Sequence, residues 1–193
     1  MNLWFRRPAG SEPPATTPDA ALAGDELIDH PLRAYTESLY LTGTVRGEGR
    51  LSDLLNRRQP LVLWDAAVVP LGAPRTALSR QTWLVVDPME LDLVLGGPLD
   101  RRLALRRSTR RIFKVRYPVL IEGATFTVRG TIHLFPGTTP EFEAYQTGTL
   151  FLPVTEAVAW RDRRLITDPG VDVVLVNRHT IQRIRQLDAA PGH

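Results

Sequence analysis

The chain has no cysteine. That excludes a disulfide framework, a thiolate zinc site and a cysteine nucleophile. It has only 4 histidines. His30, His133, His179 and His193 stand alone, none with a partner at metal-ligand spacing, so neither a metal nor a cofactor is expected. No apolar run approaches the roughly 20 residues that a membrane-spanning helix needs. The first residues lack the apolar core of a secretory signal, so the expected location is cytoplasmic. There is no G-x-S-x-G, no G-x-x-x-x-G-K-[ST] and no G-x-G-x-x-G, the turns that carry acyl-transfer or nucleotide chemistry. Ser52–Asp53 reads as a helix cap, and Glu141 and Glu143 as solvated surface. With no constellation for catalysis, the chain is read as a non-enzyme.

Lysine is nearly missing as well. Lys114 is the only one, against 23 arginines, a skew read as genome composition rather than chemistry. The net charge of +3 is unevenly distributed. Residues 1–100 carry 9 basic and 13 acidic side chains, and residues 117–193 carry 7 and 8. The 16-residue stretch RRLALRRSTRRIFKVR (101–116) carries eight basic side chains and no acid. Arg101, Arg102, Arg106, Arg107, Arg110, Arg111, Lys114 and Arg116 are therefore the candidate site for an anionic partner. The plainer reading of the stretch is an exposed connector whose arginines meet the acidic excess before it. A nucleic acid is the alternative partner to a protein, and an anionic membrane surface is disfavoured.

What is present is ordinary globular material, 43% hydrophobic and 23% charged over 193 residues, enough to bury a core. Residues 1–31 are the exception. PAGSEPPATTPDAALAGDE has no apolar periodicity and cannot offset the entropy of ordering it, so a disordered tail is expected. At its start Trp4, Phe5, Arg6 and Arg7 form a candidate docking peptide.

The remainder repeats itself. At an offset of 90 residues PLVLWDAAVV (60–69) falls on LFLPVTEAVA (150–159), with Val68 on Val158. At the same offset LVVDPMEL (84–91) falls on VLVNRHTI (174–181). At an offset of 87 LYLTGTV (39–45) falls on FTVRGTI (126–132), with Gly43 on Gly130. The expected organisation is a repeat unit at 32–97, an Arg-rich connector with a possible strand at 98–117, a second unit at 118–187 and a short tail at 188–193. Each unit reads as about four short strands, with a short helix at RLSDLLNRR or TTPEFEAYQTG. Ser52 and Asp53 are the candidate N-caps of the first helix. Pro153 marks an edge or a bulge. The fold class expected is mainly β, two related small antiparallel units, barrel- or roll-like, from internal duplication.

Two resemblances follow from these strings. GTVRGEGRLSDLLNRRQPLVLWDAAVV resembles an uncharacterised bacterial domain family with an RLSD-x-LN element, here in tandem copies. Gly43, Leu51, Asp53, Asn56, then Leu61, Val62, Leu63 and Asp65, followed by VLVNRHTI, more loosely resemble Sm-like barrels. That second resemblance implies that Asp53, Asn56, Asn177 and Arg178 lie where such proteins contact RNA bases. Asn177–Arg178 and Asp87–Pro88 stand where that family has Arg-Gly. The spacing of Arg106 and Arg110, or Arg107 and Arg111, is similar to that in PilZ-type cyclic-dinucleotide receptors. The D-x-S-x-x-G element of that family is absent from VRGTIHLFPG. The functional expectation is a non-catalytic binding or assembly module, with a protein partner or self-association. RNA binding is the alternative, and cyclic-dinucleotide sensing the second alternative.

Overall fold

The computed structural model describes residues 27–74, 77–96, 113–145, 148–169 and 171–187. They form antiparallel β-structure with two short helices, and the chain divides into two units, Met1–Leu91 and Asp92–His193.

Unit 1 is a meander of four strands, β1 (Ile28–Tyr35), β2 (Leu39–Gly47), β3 (Leu61–Pro70) and β4 (Ser79–Val86), each antiparallel to the next. Alternation builds β1: His30, Leu32 and Ala34 are buried, while Asp29 and Pro31 are exposed between them. Residues 28–31 therefore belong to this strand, not to the tail that composition assigned them. Their ladder runs from Ile28 opposite Gly47 to Tyr35 opposite Tyr40. The helix α1 (Leu51–Asn56) follows β2. Its N-cap is Arg50, which makes no side-chain cap bond, so Ser52 and Asp53 sit inside the first turn and are not the caps expected. Packing holds α1 instead. Leu54 and Leu55 are buried, and burying a leucine contributes about 1.5–3 kcal/mol, more than the roughly 1 kcal/mol of a cap. Beyond β4, Asp87 accepts from the Met89 backbone N–H at 2.9 Å and caps a 3-10 turn, Pro88–Glu90.

Unit 2 contains β5 (Leu93–Gly96), β6 (Val115–Gly123), β7 (Phe126–Leu134), α2 (Pro140–Ala144), β8 (Phe151–Arg161), β9 (Arg164–Leu165), β10 (Val173–Asn177) and β11 (Ile181–Gln186). Its strand order is β11-β6-β7-β8-β10-β5, with β9 beside β8. The path is open, so hydrogen bonding does not close a barrel. β5, which the repeat assigned to the end of the first copy, pairs with β10 from Leu93 opposite Val176 to Gly96 opposite Val173. β6 begins at Val115, inside the Arg-rich connector. Thr139 caps α2 by accepting from the Phe142 N–H at 3.3 Å, with Pro140 at the first helical turn. The ladder between β7 and β8 ends at Thr131 opposite Thr155. Pro153 lies past that point and has a strand partner on one side only, Leu175, where its missing N–H is tolerated. The core is mainly aliphatic: Val119, Ile121, Val128, Ile132, Val154, Val174 and Val176 are buried, with Phe126 and Phe151 as aromatic members. No helix among the described residues is long and apolar enough to cross a membrane.

Candidate interaction site

The β6–β7 hairpin sets Arg116 opposite His133 and Val115 opposite Leu134. Two basic side chains thus face each other across the strands. Two strands away in order, β8 bulges. Its register with β7 jumps from Arg129 opposite Val158 to Thr131 opposite Thr155. Gly130 lies at this jump because a side chain does not fit there. A Cβ would stand 2.6 Å from Val154 Cγ1 and 2.8 Å from the Thr155 carbonyl oxygen. On the opposite strand Glu156 takes a positive φ of 52°, strained for a residue other than glycine.

The bulge brings Glu156 to Arg116. The Arg116 Nη2 donates to both carboxylate oxygens, at 2.6 and 2.7 Å. Thr131 Oγ1 donates to Glu156 Oε2 at 3.2 Å. Thr155 Oγ1 donates to the Thr131 carbonyl at 3.1 Å and lies 2.9 Å from His133 Nε2. Its one hydrogen is thereby committed, so His133 must donate from Nε2 to the threonine oxygen. Burial lowers the pKa of His133 below its ordinary value, and the Arg116 and Lys114 charges lower it further, against a smaller opposing pull from Glu156. His133 is therefore neutral at physiological pH.

One residue before β6, Lys114 lies over the Phe135 ring, 5.3 Å from its centroid. Phe135 is 56% exposed and Phe113 is 76% exposed. Burying aromatic surface is strongly favourable, so the open Phe135 beside the Lys114 ammonium, and the open Phe113 one residue before that lysine, are candidates for a contact surface. Phe142 in α2 and Tyr145 just after it are also exposed.

Of the predicted anionic-partner residues, Lys114 and Arg116 are described, and both have intramolecular partners. Arg101, Arg102, Arg106, Arg107, Arg110 and Arg111 lie outside the described residues, as do Trp4, Phe5, Arg6 and Arg7. The Sm-like reading fares differently at Asn177 and Arg178. Asn177 is fully buried, and its side chain accepts from the His179 N–H at 3.0 Å to cap the 3-10 turn Arg178–Thr180. The Arg178 guanidinium is buried and donates to the Glu143 carboxylate at 2.7 Å, to the Glu143 carbonyl oxygen, and to Thr149 Oγ1 at 3.2 Å. Both side chains are occupied inside unit 2. Glu143 is accordingly an anchor for Arg178, not the solvated carboxylate that the sequence suggested. Asp53 and Asn56 lie on α1 of unit 1.

Sequence reasoning missed Glu156, the Glu143–Arg178 pair and a further buried pair, Arg161 with Asp92 at 3.4 Å. The only signal for the first was the glycine of the aligned G-T pair, which marks the bulge. Each unit also carries a shallow open groove. One, of about 470 Å³, is lined by Gly123, Thr125, Phe126, Trp160 and Asp162, and the other, of about 480 Å³, by Thr42, Asp65, Ala66, Arg80 and Thr82. Among the described residues no three His, Asp or Glu side chains are grouped to hold a metal. Comparison of the chain with protein-family models, with curated proteins and with solved structures gives no match.

Proposed function

We propose that this chain is a non-catalytic binding module, an internal duplication of one small β unit, and that it takes its partner at the open end of the β6–β7 hairpin. The observation that carries the function is the exposed Phe135 under the Lys114 ammonium, with the exposed Phe113 next to that lysine in sequence, at the point where the Arg-rich stretch runs into β6. Aromatic and cationic side chains together suit an acidic protein surface. The apolar rings supply affinity, and the basic stretch supplies steering.

Several features support duplication. Element order is the same in Ile28–Glu90 and Val115–Thr180: two strands, a short helix, two longer-range strands, then a 3-10 turn capped by Asp87 or Asn177. β9 is an addition to the second copy. Leu39–Gly47 and Phe126–Leu134 are both nine-residue strands at the offset read from sequence. Both units break register at the matched glycine: Thr42 opposite Ala67 then Thr44 opposite Trp64, and Arg129 opposite Val158 then Thr131 opposite Thr155. Asp65 (φ 50°) and Glu156 (φ 52°) take the strained residue of each bulge. On this register Ala67, rather than Val68, corresponds to Val158, so the sequence alignment of that strand moves by one residue. A roll-like second copy is supported by β11 lying beside β6, which brings the last strand back to the first.

A second reading is single-stranded nucleic acid. Phe113 and Phe135 with Lys114 have the composition of a stacking platform beside a basic track. A filter-binding titration with RNA and single-stranded DNA at two salt concentrations separates the readings. Tight, sequence-independent binding at low salt that collapses at high salt favours nucleic acid. No binding to either, with retention of a protein partner that Phe113→Ser and Phe135→Ser abolish, favours the protein reading. If those substitutions change neither, the surface is not the binding site.

A further inference from the structure

We propose that β4 is a self-association edge, on which a second copy of this chain docks antiparallel through its own β4. The inference uses unit 1 alone and is independent of the aromatic surface in unit 2.

β4 ends the ladder of unit 1: β3 covers one side, and no strand among the described residues covers the other. An uncovered strand presents unpaired N–H and C=O groups, and proteins normally blunt such an edge with charge, proline or a bulge. β11, the terminal strand of unit 2, is blunted in this way by the exposed Arg183 and Arg185. β4 is not. SRQTWLVV runs eight residues with no proline and no register break against β3, and Arg80 is its only charge. Unit 2 shows what this strand position accepts. β10, which also leads into an Asx-capped 3-10 turn, is covered on its far side by an antiparallel aliphatic strand, with Val174 opposite Leu95 and Val176 opposite Leu93.

The partner is a second copy because the edge is self-complementary. Leu84 and Val86 face the core, while Trp83 and Val85 are half-exposed on the other face. A two-fold axis through Leu84 keeps those faces aligned. It sets Trp83 of each copy opposite Val85 of the other, an aromatic–β-branched pair of the kind that stabilises sheets. The ends match in charge. β4 begins with the basic Arg80 and runs into the acidic turn of Asp87 and Glu90, so antiparallel pairing brings Arg80 of each copy to the acidic turn of its mate. A contact along one eight-residue edge is small beside the roughly 1,200 Å² of standard interfaces, so a weak, concentration-dependent dimer is expected.

The test is sedimentation equilibrium of the full chain over the micromolar range. A monomer–dimer equilibrium is expected. Thr82→Pro should abolish it, and Arg80→Glu should weaken it by about tenfold or more. Combining Arg80→Glu with Glu90→Arg should restore it, because each copy then carries the swapped pair. The exposed Arg80 and Glu90 keep the test valid even if Thr82→Pro does not fold, as circular dichroism would reveal. A strict monomer throughout overturns the proposal. So does a dimer that is indifferent to Arg80→Glu, or one that the double swap fails to rescue.

Discussion

Two arginines in unit 2 hold carboxylates at nearly the same distance, and burial predicts very different consequences for removing them. Arg178 meets Glu143 at 2.7 Å with side chains 6% and 26% exposed. Arg116 meets Glu156 at 2.6 Å with side chains 59% and 66% exposed. An exposed ion pair is worth about 0–1 kcal/mol, because water solvates either charge once the partner is gone. Arg116→Leu should therefore cost under about 1 kcal/mol. Arg178→Leu removes three donors, two from the partly buried Glu143 and one from Thr149. Breaking a fully buried pair costs about 3–5 kcal/mol. The partial exposure of Glu143 lets water recover some of that loss, so about 2–3 kcal/mol is expected, close to the worth of hydrogen bonds to a charged group. Urea denaturation at neutral pH, followed by far-ultraviolet circular dichroism, measures both. For a chain of this size the difference corresponds to roughly 2–4 °C of Tm per kcal/mol. Equal effects of the two substitutions, or a larger effect at Arg116, would refute the argument that burial rather than distance sets the value of these pairs.

Other expectations are as direct. Gly130→Ala and Gly43→Ala should each destabilise by about 1–3 kcal/mol in the same assay, since the added methyl meets backbone in both bulges. His133 should show a depressed pKa in an NMR titration, and Glu156→Gln should depress it further by removing the one group that raises it. The unfolded state then binds more protons than the folded one as pH falls below the ordinary histidine value of 6.5, so the stability due to neutral His133 is full above that pH and lost as pH falls through the folded pKa. A pH-stability profile that is unchanged in His133→Gln would contradict this. Phe113→Ser and Phe135→Ser should leave stability within about 0.5 kcal/mol while weakening the partner complex, measured by thermal denaturation beside a pull-down.

What the sequence made legible was periodicity and punctuation. Alternation located β2, the extended run after Pro60 located β3, the turn at Glu122–Gly123 led into β7, the Leu-rich RLSDLLN and the Pro140 segment located the two helices, and the Asp87 and Asn177 turns fell where the apolar runs stop. β1 was missed because Pro31, His30 and Asp29 look like the end of a polar tail. Its inward set, His30, Leu32 and Ala34, alternates but is too weakly apolar to stand out from the polar stretch before it, and β2 supplies the ladder that fixes it as a strand. The candidate site was less legible. Basic side chains are visible in a sequence, but the carboxylates that take them up depend on a bulge and on a packed turn. Glu156 is 40 residues from Arg116, and Glu143 is 35 from Arg178. Only folding brings either pair together.

On the proposed duplication, the polar cluster of unit 2 has a counterpart in unit 1 with a different charge pattern. The hairpin register that pairs Asp29 with Arg46 in unit 1 pairs Arg116 with His133 in unit 2. In unit 1 the opposed charges satisfy each other directly: Arg46 Nε donates to Asp29 Oδ1 at 3.0 Å, and its guanidinium lies 5.4 Å from the Trp64 ring centroid. The bulge acid, Asp65, stays at the exposed surface. In unit 2 the same two positions are both basic, an arrangement that costs energy across a ladder. Two adjustments relieve it. Glu156, the acid at the corresponding bulge, takes Arg116 bidentately, and His133 gives up its proton to stay neutral beside Lys114 and Arg116. The bulge geometry is thus common to both units, while its use differs. Unit 1 satisfies its cross-strand charges within the pair, and unit 2 satisfies one of its two basic positions with the bulge acid and keeps the other neutral.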